Sequence, residues 1–159
     1  MAATLTRPIV TATLVAGTLD ILSAFVFAGM AGIGVLPVLR YVASGPFGDA
    51  VREGGSGWAA AGLAVHFAIM AVMVAVYMIA ARRLPLLTRR PIVAGLAYGF
   101  LLWVIMYYVV KALRWSDALL PHQAGNPIWS IGNQLFSHCI LVGLPIALIA
   151  ARHFRRPFG

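Results

Sequence analysis

Four apolar runs divide this chain, and each is long enough to cross a bilayer as a helix. They cover residues 9–33, 58–80, 92–110 and 128–151. A spanning helix needs about 20 consecutive apolar residues. Inside hydrocarbon every backbone N–H and C=O must be satisfied within the protein, which leaves helices and closed barrels as the only spanning forms. Runs of this length, bounded by charge, proline or glycine, predict an all-α integral membrane protein. The expected architecture is a four-helix transmembrane bundle in a single membrane domain, 1–159. Composition agrees, since 62% of the residues are hydrophobic and only 10% are charged. A soluble domain carries about 25% charged residues.

The first run follows one basic residue, Arg7, and contains Asp20. A cleavable signal peptide has an apolar core of roughly 7–15 residues, so this longer run is expected to be an uncleaved span. Pro8, Pro91 and Pro127 mark the first helical positions of spans one, three and four, where a missing N–H is no loss. Asn126 is a fitting N-cap for the fourth. The formal charge of +8 does not point to nucleic acid. The basic residues flank the apolar runs and form no basic face on a soluble fold.

Those flanking charges orient the spans. Arg7, Arg82, Arg83, Arg89, Arg90, Arg152, Arg155 and Arg156 fall on one side, while Arg40, Arg52, Lys111 and Arg114 fall on the other. The positive-inside rule then puts both termini in the cytoplasm. Trp58, Trp115 and Trp129 form an aromatic belt at the outer interface. In the first outer loop, 36–43 reads as an interfacial helix with Arg40 turned to water. Ser44-Gly45-Pro46-Phe47-Gly48 reads as a turn, and 49–53 as a second short helical piece. The short second loop makes spans two and three antiparallel neighbours. The third loop, 111–126, reads as polar and irregular. Cys139 lies inside an apolar run and has no intramolecular disulfide partner.

Asp20 is the sharpest functional clue. A carboxylate within a span is expensive and needs a partner or a purpose. Counting about 1.5 Å per residue from the outer ends puts His66 about 12 Å deep, His138 about 15 Å and Asp20 about 20 Å. Asn133, Gln134, Ser137 and His138 share a face of span four at three- and four-residue spacings. Thr18 and Ser23 flank Asp20. Pro145 cannot bond back to Leu141 and predicts a kink. The expected site is a pocket of Asp20, His66, His138, Asn133, Gln134, Ser137 and Thr18, open toward the periplasm. It would bind or pass a proton or a small polar solute. The same residues also suit a purely structural clasp, with Asp20 hydrogen-bonded to His66 or His138.

Two metal readings use the same histidines. His66 and His138 at matched depth on diagonal spans could ligate one haem b iron axially. His66, Met70, Met73, His138 and Cys139 offer soft ligands that suit copper. His122 and His153 read as solvated residues of loop and tail. No phosphate loop, zincin motif or nucleophile elbow is present, so the chain is expected not to be an enzyme and to have no catalytic residues. Gly95 and Gly99 are four apart and predict close helix packing or self-association. That face and the basic loop also suit an accessory or scaffold subunit of a larger membrane complex. The lipid bilayer is the one partner expected in every case.

Gly17-Thr18-Leu19-Asp20-Ile21, Ala43-Ser44-Gly45-Pro46-Phe47-Gly48, His66-Phe67 and Gly143-Leu144-Pro145-Ile146 resemble a family of small four-span bacterial inner-membrane proteins. The chain is also loosely similar to YagU-type membrane proteins. The resemblance implies a bacterial cytoplasmic membrane. The association of YagU-type proteins with acid resistance implies a proton-responsive site.

Overall fold

The computed structural model describes residues 4–115 and 127–155. Four helices in it are long and apolar enough to cross a membrane, which makes the chain a multi-pass membrane protein. They are α1 (Thr6–Met30), α3 (Ser56–Arg83), α5 (Pro91–Arg114) and α6 (Trp129–Arg155, entered through Pro127–Leu135). Two shorter helices join them: α2 (Val35–Phe47) between α1 and α3, and α4 (Leu86–Arg89) between α3 and α5.

The ends of these helices follow local chemistry. Pro91 opens α5 as expected, and Pro127 begins the helical segment that leads into α6. Pro8 does not open α1, which starts at Thr6, so Pro8 lies inside the first turn. A first-turn N–H has no intrahelical partner, and the proline costs nothing there. α2 continues through the segment expected to be a turn. Its stop is Gly48 at φ +89°, whose N–H bonds the Ser44 carbonyl at 3.1 Å. A glycine in the left-handed region ends a helix without Cβ strain. The short helical piece after it, Asp49–Glu53, is a 3-10 turn. Asn126 and His122 lie outside the described residues, as do Arg156 and the third loop beyond Trp115.

α1 packs between α3 and α6, and α6 packs between α1 and α5. α3 meets α5 where the Tyr98 hydroxyl donates to the Met73 carbonyl at 2.7 Å and the Tyr77 and Tyr98 rings lie 4.9 Å apart. The seam between α5 and α6 is glycine-lined. A Cβ at Gly99 would fall on the His138 carbonyl oxygen and lie 2.5 Å from the Cys139 Cα. One at Gly95 would meet the Gly143 carbonyl oxygen at 2.8 Å. The Gly95 and Gly99 face is therefore occupied inside the fold, and it is not free for self-association.

The half of the bundle nearer both termini has an apolar core. Ala12, Ala16, Val74, Met78, Val142, Ile146, Ala147 and Ala150 are all within 1% of full burial there. Close packing of such side chains leaves little room for water.

The opposite end is closed by α2, the 3-10 turn and the end of α5. α2 rests on α3 at Gly62, where any Cβ would strike the Leu39 carbonyl. Arg40 does not face water as expected. It is half-buried, donates through Nη1 to the Gly54 carbonyl, and leaves its Nε buried without a partner. Arg114 donates to the carbonyls of Ser44 at 2.7 Å and Gly45 at 2.8 Å. Trp115 stacks on Tyr41 with centroids 5.0 Å apart. Asp49 ties the group together. It accepts from the Trp115 N–H at 3.3 Å and pairs with Arg52 at 3.0 Å and Arg114 at 3.2 Å.

The Trp115 N–H, and then the two guanidinium groups, hold the Asp49 carboxyl below its ordinary value against an opposing desolvation. A carboxyl with a lowered folded pKa contributes stability above its unfolded pKa and loses it as pH falls through the folded value. Acidification below the ordinary carboxylate range is therefore expected to loosen Trp115 from Tyr41. The transition should appear in the tryptophan fluorescence of the wild type and be missing from W115F and D49N. A transition that persists in both variants contradicts this role.

Candidate functional site

α6 supplies two rows of polar side chains. In one, Gln134 Nε2 donates to Ser130 Oγ at 3.0 Å, and Gln134 Oε1 accepts from the Trp103 indole of α5 at 3.1 Å. His138 continues this row, with Nδ1–H donating to the Gln134 carbonyl at 3.0 Å. In the other, Ser137 donates to Asn133 Oδ1 at 3.4 Å and meets Ser23 of α1 at 2.7 Å. The i, i+4 spacing makes each row, and the contacts to Ser23 and Trp103 lock α6 to both neighbours.

Two helices widen at this level. α6 is π-helical over Phe136–Gly143, and α5 over Ile105–Val110. Pro145 has no N–H to give Leu141, and the wider turn just before it takes up the broken ladder. The expected kink thus takes the form of a π-helical turn. It carries Ser137 and His138, and the facing turn on α5 carries Tyr107. The His138 and Tyr107 rings meet edge to face, with centroids 5.7 Å apart. π-helical turns concentrate at functional sites.

Asp20 is half-buried and lies one turn along α1 from Ser23, which meets Ser137 next to His138. Among the described residues it has no hydrogen-bond or ion-pair partner. A lone acid at the centre of a spanning helix costs about 2.5–3.5 kcal/mol on insertion scales. The His138 tautomer set by its bond to Gln134 makes Nε2 an acceptor, and among the described residues it has no hydrogen-bond partner. Lys111 completes the group, with Nζ 4.8 Å from the centre of the Tyr107 ring.

His66 and Thr18 are placed differently from the sequence expectation. His66 is buried, and its Nε2 donates to the Gly17 carbonyl of α1 at 2.9 Å. It clasps the α1 backbone one turn from Asp20 and makes no bond to the carboxylate. Thr18 is exposed beside Leu14, Val15 and Leu19, on the outer side of α1. Residues two apart on a helix point about 200° apart, so Thr18 and Asp20 cannot share a face. Ser23, one turn from Asp20, is the α1 hydroxyl that joins the site.

The metal readings fit poorly. Axial haem ligation would use the His66 Nε2 that is engaged with Gly17. Met70 and Met73 belong to the apolar core. Among the described residues no group of three or more His, Cys, Asp and Glu is arranged to hold a metal ion. His153 is not solvated as expected. It lies in α6 with Nε2 buried and without a hydrogen-bond partner among the described residues, its ring edge-on to Phe154.

Sequence reading missed Trp103, Tyr107 and Lys111. They stand at i, i+4 and i+8 on α5, a spacing that marks one face. Compared with known protein families, characterised proteins and solved structures, the chain matches none.

Proposed function

We infer that this membrane protein takes a proton or a small polar solute at Asp20, with His138 and Tyr107 as its immediate partners. The carrying observation is a span carboxylate with no hydrogen-bond or ion-pair partner among the described residues, one turn from the Ser23–Ser137 contact that adjoins His138. A charge kept unpaired inside a span marks function more often than packing. The polar rows of α6 lie on the α2 side of the apolar core, which supports access from the α2 end. His66 then serves as a brace that fixes the α1 backbone.

The arginine-rich loop and tail support an orientation with both termini in the cytoplasm and α2 outside, and the resemblance to small inner-membrane proteins supports a bacterial cytoplasmic membrane. A proton-responsive site also accords with the resemblance to acid-resistance proteins. The scaffold reading loses one support, because the Gly95 and Gly99 face is filled by α6. In lipid nanodiscs the full chain should bind propylammonium or take up a proton on acidification. Equal responses from wild type and D20N would leave Asp20 a structural residue.

A further inference from the structure

The two charges in this cluster do not meet. Asp20 has no ion-pair partner, and Lys111 has no carboxylate partner, among the described residues. Lys111 is the chain's sole lysine, in a sequence that otherwise uses arginine. It is half-buried within the α5 span, and its ammonium lies over the Tyr107 ring. Tyr107 touches His138, and Asp20 lies one turn along α1 from Ser23, which bonds Ser137 next to His138. Tyr107 thus has Lys111 on one side and, through His138, the level of Asp20 on the other. Lys111 is one helical turn farther along α5, about 6 Å by the helix rise.

Arg114 cannot serve as the positive pole. Its guanidinium is committed to the Ser44 and Gly45 carbonyls and to Asp49. In a medium of low dielectric, two opposite unpaired charges attract strongly, and holding them apart leaves both uncompensated. A ligand that bridges them satisfies both at once.

We propose that the site takes a small zwitterion, with its ammonium group on Asp20 and His138 Nε2 and its carboxylate on Lys111. The chain between its charged groups would lie along the Tyr107 ring. This rests on the reading of Asp20 as a binding group and makes Lys111 the specificity-determining residue. A plain amine leaves Lys111 unpaired and is repelled by it. A plain carboxylate is repelled by Asp20.

The test is calorimetric titration of the full chain in lipid nanodiscs. The probes are glycine, β-alanine and γ-aminobutyrate, with propylammonium and butyrate as single-pole controls. The best of the three zwitterions should bind at least tenfold tighter than either control. K111M should remove that advantage and leave propylammonium binding in place, while K111R should keep most of it. If K111M does not fold, the wild-type series decides alone. Propylammonium binding as tightly as every zwitterion would overturn the proposal and leave the Asp20 site standing. An unchanged zwitterion preference in K111M overturns it as well. No binding of any of the five probes overturns both the zwitterion and the solute site.

Discussion

Asp20→Asn is expected to stabilise the protein while abolishing its response to propylammonium and to acid. The side chain keeps its size and loses its charge. In the wild type that charge has no hydrogen-bond or ion-pair partner among the described residues. Removing the expense of a central acid should add about 1 kcal/mol or more. By the usual size scaling, that raises the thermal midpoint by roughly 2–4 °C. A structural clasp behaves in the opposite way, because deleting one partner of a buried polar pair strands the other. Unfolding in nanodiscs, followed by helical signal with and without propylammonium, separates the two. A D20N protein less stable than wild type would count against the functional reading.

Gly99→Ala is expected to carry a large structural penalty. Its methyl group would meet the His138 carbonyl and the Cys139 Cα, both backbone atoms that cannot rotate aside. α6 must then move away from α5. Overpacking of this kind costs about 1–3 kcal/mol. The shift also acts on the site, since it pulls His138 from Tyr107 and Gln134 from Trp103. G99A should therefore unfold earlier and bind propylammonium at least tenfold more weakly. Leu101→Ala, at an exposed position on the same helix, should do neither.

The four spans were legible because each is a long apolar run ended by charge, glycine or proline. The partner of His66 was not legible, because it is a backbone carbonyl and no residue type announces it. Lys111 was read only as an orienting charge at the outer end of span three. Its i, i+4, i+8 spacing with Tyr107 and Trp103 marks a face but does not say that His138 packs against it. Thr18 was misplaced by proximity in sequence, which a helix converts into opposite faces. Arg40 was expected in water because its surroundings read as loop. The docking of α2 on Gly62 is what buries it.

The expected self-association face shows the same limit. A four-residue glycine spacing reports that some backbone comes close. It cannot report whose. Here the backbone is that of α6, around His138 and Gly143. The same spacing thus has consequences for the site as well as for packing.

The most direct measurement is covalent. A hydrophobic carbodiimide adds the protonated oxygen of a membrane carboxyl group across its C=N bond, and the adduct rearranges to a stable N-acylurea. Mass spectrometry of the full chain in lipid should find that adduct at Asp20, formed more slowly when γ-aminobutyrate or propylammonium is present. An unlabelled Asp20 in a sample where Asp49 or Glu53 reacts, or labelling at a rate that neither compound changes, would contradict the account.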